Sequence, residues 1–310
     1  MEESWSKRMD SLTEEIKKLK REKGAVILAH CYVDGDVKQV ADKIGDSYYL
    51  AEEAAKTSNR TIVLCGVTFM GESVKLLNPE KTVLLPDRTA VCPMAAMYSI
   101  GEIEDVRKKY DDVAVVCYIN STAELKSLSD VTVTSANALK IIKSLPNKNI
   151  YFVPDENLGR YVASQVPEKN FLFYKGFCPI HAAIAAQEVA ELKRAHPAAQ
   201  VLVHPECGPE VVALADTVGS TSGILRHAAS SGAEEFIVCT EVGILNDLQN
   251  RNPDKKFYFP GYPLCLSMKK ITLEGVRDAL LTSENEVTVD GAYADKARAS
   301  LSRMLELSRS

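Results

Sequence analysis

The chain has 310 residues, 46% hydrophobic and 25% charged, which is room for two or three ordinary domains with the composition of a globular protein. Its net charge of −5 comes with no basic block, which excludes the electrostatic footprint of a nucleic-acid binder. The opening MEESWSKRMDSLTEEIKKLKREKG has no apolar core of the signal-peptide kind and no later run is long enough to span a bilayer, so a cytoplasmic protein off the membrane is expected, its eight cysteines not in disulfides.

Trp5, Met9, Leu12, Ile16 and Leu19 recur at helical spacing and predict an amphipathic helix over 5–22. The short apolar run from Ala25 to Ala29 predicts a strand buried on both faces, as in parallel sheets, with His30 and Tyr32 just past its end. A helix follows over about 37–43, and another begins after Ser47, whose hydroxyl is placed to cap it. Strand Thr61 to Cys65, helix Phe69 to Leu77 and strand Thr82 to Leu85 lead into the loop PDRTAVCPM, which holds Cys92.

The second third repeats the order. Strand Val113 to Cys117 ends at Tyr118 and Asn120, then come a short helix, strand Val131 to Thr134 and a helix after Ser135. Strand Ile150 to Val153, a helix after Asn157 and strand Phe171 to Phe173 lead to YKGFCPIH, which holds Cys178 and His181. A helix from Ala182 to Ala195 crosses to strand Gln200 to Val203, ending at His204. Strand Glu235 to Cys239, a helix after Gly243 and strand Lys256 to Phe259 then reach PGYPLCLSM, which holds Cys265. Residues 271–310 read as two closing helices around a short strand, Glu286 to Val289.

One ruler fits all three thirds. Counted from His30, Tyr118 and His204, an Asp stands twelve residues on (Asp42, Asp130, Asp216) and a hydroxyl residue seventeen on (Ser47, Ser135, Thr221). The period is 88 and then 86 residues (118 − 30, 204 − 118), too long for a solenoid unit of about 20–50 residues. The expected fold is therefore α/β, with three similar three-layer αβα domains of mostly parallel sheet related by a pseudo-threefold axis around a central active site. Their bounds are 1–110, 111–197 and 198–270, with closing helices over 271–310. Ligands of such sheets sit at the carboxyl ends of the strands, where the polar residues recur.

Cys92, Cys178 and Cys265 lie 62, 60 and 61 residues past the three frame starts (from 30, 118 and 204), each in a loop after a strand. Cys65, Cys117 and Cys239 lie inside apolar strands and read as small buried residues, while Cys31 and Cys207 have no counterparts. Three converging thiolates without a fourth suit either zinc with an open position or a [4Fe–4S] cluster with one iron unliganded by protein. Symmetry-related, widely spaced cysteines favour the cluster, whose open iron is a Lewis acid fit for dehydration. A zinc hydrolase and a non-catalytic iron–sulfur scaffold stay open on ligand count.

HCY at 30–32, GVTFMGESVKLLNP at 66–79, PDRTAVCPMA at 86–95, YINSTAELKSLSDVTVTSANA at 118–138, CPIH at 178–181, HPEC at 204–207, GSTSG at 219–223, TEVG at 240–243 and CLSMK at 265–269 resemble, in order, the quinolinate synthase family. The resemblance runs from about residue 10 to 307. It implies a [4Fe–4S] cluster on Cys92, Cys178 and Cys265 and the condensation of iminoaspartate with dihydroxyacetone phosphate to quinolinate, with release of phosphate and two waters. L-aspartate oxidase or aspartate dehydrogenase would supply iminoaspartate; another open-cluster hydro-lyase is the alternative.

Under that resemblance His30 and His204 bind substrate oxygens or shuttle protons, Glu206 is the general acid/base, and Tyr32 and Tyr118 are proton donors or carboxylate partners. Ser47, Ser135 and Thr221, at helix starts, hold phosphate and carboxylates, and Asn120 and His181 complete the pocket. Two residues depart from the family's pattern. Cys31 puts an extra thiol between His30 and Tyr32, an expected oxidation liability, and Ser267 stands where an Asn is common.

Overall fold

Three four-stranded sheets carry the fold, every strand pair in them parallel and every sheet in the same strand order. The computed structural model describes residues 2–309, with side chains from Met9 onward, so the Trp5 side chain lies outside the described residues. The chain forms two compact units, Met1–Cys92 with Leu266–Ala294, and Pro93–Cys265 with Asp295–Ser310.

The first unit runs α1 (Glu2–Glu22), β1 (Ala25–His30), α2 (Gly35–Val40), β2 (Lys43–Gly45), α3 (Ser47–Lys56), β3 (Thr61–Cys65), α4 (Thr68–Leu77) and β4 (Thr82–Leu84). Ile27, Leu28, Ile62, Val63 and Leu64 have no exposed surface, which accounts for strands that are apolar at successive rather than alternate positions.

The second unit opens with α5 (Ile100–Lys109), a helix the sequence reading did not include, and continues β5 (Val113–Tyr118), α6 (Ala123–Ser127), β6 (Val131–Val133), α7 (Ala138–Ser144), β7 (Asn149–Val153), α8 (Glu156–Ser164) and β8 (Asn170–Phe173). The expected single helix over 182–195 is two, α9 (Pro179–Ala182) and α10 (Ala186–Ala195). The third sheet follows with β9 (Gln200–Val203), α11 (Pro209–Val212), β10 (Thr217–Val218), α12 (Thr221–Ser230), β11 (Glu235–Cys239), α13 (Ile244–Arg251) and β12 (Lys256–Tyr258).

The chain ends in α14 (Leu273–Thr282), which packs on α1 in the first unit, and α15 (Gly291–Arg309). In the second unit α15 docks through Ser300 to Thr132 at 2.9 Å and Ser308 to Asn137 at 3.0 Å. The short strand expected at 286–289 is only an antiparallel bridge of Glu286 to Leu84, because Pro86 ends the pairing edge of β4 almost at once.

The sheet orders are β2-β1-β3-β4, β6-β5-β7-β8 and β10-β9-β11-β12. Edge strands β2 and β10 were not expected, being only three and two residues long. Both begin thirteen residues past their frame start (43 from 30, 217 from 204), the place of β6 (131 from 118), so the repeat register contained them.

The recurring aspartates belong to the architecture. The Asp42, Asp130 and Asp216 carboxylates accept from the backbone N–H of Ile27, Val115 and Val201 at 2.8, 2.7 and 2.8 Å. Each aspartate's own N–H donates back to the same residue's carbonyl. A second triplet was missed: Lys81, Lys169 and Lys255, each 51 residues past its frame start (from 30, 118 and 204). Each ammonium donates to two carbonyls at the C-terminal end of α3, α7 or α12, where the helix dipole favours a cation. Asp42→Ala is expected to cost about 1.5 kcal/mol in a urea melt, the size of a charge-assisted hydrogen bond to a partly exposed carboxylate.

Candidate active site

In a sheet of order 2-1-3-4 the chain leaves the first strand toward one edge and returns to the other side, so a crevice opens at the carboxyl ends of the two central strands. His30 and Tyr118 are the last residues of β1 and β5, and His204 directly follows β9. Asp155 and the pair Thr240 and Glu241 lie just past the other central strands, β7 and β11.

The first unit carries His30, Tyr32, Ser47 and Cys92. The N–H of Tyr32 donates to His30 Nδ1 at 3.1 Å, so a neutral His30 keeps its ring proton on Nε2. The two rings meet edge to face with centroids 4.6 Å apart. Lys269 fixes the same turn, donating to the Tyr32 carbonyl at 2.9 Å and pairing with Asp34 at 2.9 Å. The turn recurs in the third repeat, where the Glu206 N–H lies 3.4 Å from His204 Nδ1.

In the second unit five expected site residues come together: Tyr118, Cys178, His181, His204 and Glu206. His181 Nδ1 sits 2.8 Å from a Glu206 carboxylate oxygen and 3.2 Å from Cys178 Sγ, and its Nε2 is 2.9 Å from the Thr240 hydroxyl. The His181 and His204 rings stack with centroids 4.6 Å apart, and His204 Nδ1 is 3.9 Å from the same carboxylate oxygen. Asn157 secures the loop by donating to the Glu206 carbonyl at 3.1 Å.

His181, His204 and Glu206 are all nearly inaccessible, Glu206 at 2% exposure. Burial works against ionisation of Glu206, but the His181 charge and hydrogen bond, then His204 and the Tyr118 hydroxyl, outweigh it and hold the carboxyl down at about 2. Asp155 goes the other way. Burial, then the charge of Glu206, push it well above the ordinary carboxyl range, against the backbone N–H groups of Leu158, Cys178 and Asn157 that point at it. Cys178 Sγ, His181 and the Glu206 carboxylate lie within 4.8 Å of one another, a soft-and-hard donor set compatible with a bound metal.

Ser47 stands one place past the cap expected of it, and Thr221 stands likewise one past the cap of its helix. Asp46 and Ser220, not Ser47 and Thr221, cap α3 and α12, accepting from Tyr49 N–H at 3.0 Å and Gly223 N–H at 3.2 Å. Asn137 precedes α7, leaving Ser135 in the turn before it. Ser47 and Thr221 thus occupy the first helical position, and Asn120 lies half-buried two residues past β5.

All eight cysteines are free. Cys92, Cys178 and Cys265 are partly exposed, and the other five are buried. Cys31 is one of the buried five, with no exposed surface, which removes the oxidation liability expected of it. The Ser267 hydroxyl donates to the Val91 carbonyl at 2.7 Å, one residue before Cys92. Burial raises the thiols of Cys65, Cys117, Cys207 and Cys239, that of Cys239 to about 12. Brief iodoacetamide treatment of metal-free protein at pH 8 is therefore expected to label Cys92, Cys178 and Cys265 and to spare the other five, as read by peptide mass spectrometry.

The residues missed from sequence are Asp155, Asn157, Thr240 and Glu241. Asp155 and Glu241 share a signal, since each lies 37 residues past its frame start (155 from 118, 241 from 204). The first repeat has Val67 there, so a ruler sought in all three thirds passes over it.

The chain matches the quinolinate synthetase A protein family over residues 14–306. It is 50% identical over 296 residues to quinolinate synthase of Fusobacterium nucleatum, covering 96% of this chain and 99% of that one. Identity is 48% over 303 residues to that of Aquifex aeolicus (96% and 94%) and 48% over 297 to that of Methanoregula boonei (96% and 98%). With this coverage and the motifs seated at the strand ends, the chain belongs to the quinolinate synthetase A protein family.

Proposed function

We propose that the chain condenses iminoaspartate with dihydroxyacetone phosphate to quinolinate, releasing phosphate and two waters, with a [4Fe–4S] cluster held by Cys92, Cys178 and Cys265. That it is an enzyme of quinolinate synthesis follows from its family; substrates, cluster and residue roles are our reading. The division into repeats at 110, 197 and 270 with closing helices to 310, and a cytoplasmic setting, belong to the same reading. So does supply of iminoaspartate by L-aspartate oxidase or aspartate dehydrogenase. No described helix is long and apolar enough to cross a membrane.

The observation that carries the reading is the sorting of the cysteines. The three in repeat register are the three that are partly exposed, and soft thiolates without a fourth are the donor set such a cluster takes. Bound there, the cluster supplies a Lewis acid for an oxygen that leaves as water. The chain's own residues bind and move protons. Glu206 and His181 act as one unit: the carboxylate stays ionised and the imidazole, oriented by Thr240, exchanges the proton. His30 and His204, with Nδ1 engaged by backbone N–H, offer Nε2 to substrate oxygens. Tyr32 and Tyr118 are partners for carboxylates, and Ser47, Asn120, Ser135 and Thr221 complete anion recognition at the strand ends.

The Cys178, His181 and Glu206 trio favours a second reading, a single zinc. Anaerobic purification separates the two. A brown protein with iron and labile sulfide that forms quinolinate from the two substrates is expected; a colourless, zinc-loaded protein active without iron sinks the cluster.

A further inference from the structure

The loops bearing the three cysteines are tied to the fold by a bond that repeats in register. Just past each second central strand, a backbone N–H donates to the carbonyl two residues before the cysteine: Thr68 to Ala90, Glu156 to Gly176 and Val242 to Pro263, at 2.9, 2.8 and 2.9 Å. Each donor lies 38 residues past its frame start (68 from 30, 156 from 118, 242 from 204). The residue before it differs among repeats: Val67, Asp155 and Glu241.

In the third repeat the Glu241 side chain, 1% exposed, spends both oxygens on backbone. One accepts from the Cys265 N–H at 3.1 Å and the other from the Gly243 N–H at 2.7 Å. In the second repeat Asp155, with no exposed surface, pairs with Gly176 of the Cys178 loop in a parallel bridge, and one of its side-chain oxygens accepts from the Leu158 N–H at 2.8 Å while the other, buried and without a hydrogen bond, is left on the side of that loop. The loop comes so close here that a Cβ on Gly176 would lie 2.4 Å from the Pro154 carbonyl oxygen, a clash with backbone that only glycine avoids. A carboxylate that accepts backbone N–H groups in a buried setting is a stiff anchor, and stiffness in the shell behind a ligand is what fixes the ligand's direction.

We infer that Glu241 and Asp155 are positioning residues, a repeat-related pair of buried acidic side chains set behind the main chain of Cys265 and Cys178 so that these thiols are presented in fixed directions, Glu241 by bonding the Cys265 N–H and Asp155 by filling the matching place beside Cys178. The first repeat has no acidic side chain at this register: Val67 stands there, and the Cys92 loop is tied instead by its backbone bond and by Ser267 and Lys270, which donate to the Val91 and Thr89 carbonyls. The inference rests on the cysteine assignment above and adds to it the residues that make two of the three ligand loops rigid.

Glu241→Val and Asp155→Val, which install the residue type of the first repeat, test it in the full-length, anaerobically prepared protein. Each variant is expected to lose iron and labile sulfide to a chelator about 10–100-fold faster than wild type, the usual effect of removing an outer-shell partner. The electron paramagnetic resonance of the reduced cluster should broaden or shift, and the Cys178 or Cys265 amide should exchange hydrogen faster. Valine variants that match wild type in iron retention, spectrum and amide exchange overturn the inference. If they do not fold, Glu241→Gln decides. Its single carbonyl oxygen can serve only one of the two N–H groups, so either Gly243 or Cys265 must lose protection; if neither does, the inference fails. Wild-type protein without iron and sulfide would remove the cluster reading instead, leaving the amide exchange to judge the anchoring by itself.

Discussion

Replacing Cys178 by alanine is expected to remove bound iron and abolish quinolinate formation while the fold survives. Cys178 sits partly exposed at the start of α9 and makes no capping hydrogen bond, so its loss should cost only about 1 kcal/mol, the size of its contact with His181 Nδ1. On the proposed assignment, two remaining cysteines could not hold a cluster that three would hold with one iron already open. Losing a Lewis acid worth several kcal/mol of transition-state stabilisation means at least about a 10³-fold fall in kcat/KM. Cys65→Ala provides the contrast. That thiol is buried inside β3, so its removal should cost about 1 kcal/mol and leave iron and activity in place. Iron and sulfide analysis, quinolinate assay and thermal melts on the two variants separate a ligand from a packing residue. Full activity in Cys178→Ala would show the ligand assignment to be wrong.

Glu206→Gln is expected to lower kcat by about 10²–10⁴-fold with a smaller change in KM, the range for removing a positioned acid/base group. The amide keeps the shape of the side chain but has no charge with which to hold the His181 proton in place. Because His181 and His204 hold the wild-type carboxyl below its ordinary value, it is ionised at neutral pH, so no acid limb near neutrality is expected from Glu206. The same depression fixes the sign of the stability effect. A carboxyl lowered on folding stabilises above its ordinary value of 4.5, and that contribution is lost as the pH falls toward about 2. Wild type should therefore exceed Glu206→Gln by up to about 3 kcal/mol in urea at pH 7, and the gap should narrow at pH 3.5. A gap of equal size at both pH values would mean that the ion pair with His181 contributes nothing.

Much of this molecule could be read before any coordinates. The apolar runs at Ala25, Val113 and Gln200 became β1, β5 and β9, the first strands of three parallel sheets, because such runs are stable only where both faces are buried. The ruler through Asp42, Asp130 and Asp216 proved to be a repeated clasp on the neighbouring strand, and it extends to lysines that close helix ends. Strands of two or three residues escaped because so short a run carries no periodic signal, although their position in the repeat register is the same in all three thirds.

What the sequence by itself determined is the threefold plan, the family, and which three of eight cysteines differ from the rest. Those follow from spacing and residue type, which are properties of the chain as a line. The tertiary structure decided the partners: that His181 bridges Glu206, Cys178 and Thr240, that Asp46 takes the capping duty expected of Ser47, and that Asp155 and Glu241 stand behind two cysteine loops. A hydrogen bond depends on angstrom distances between residues tens of positions apart, and the direction of a pKa depends on which charges share a dry site. Neither is written in the order of residues until the strands bring their ends together.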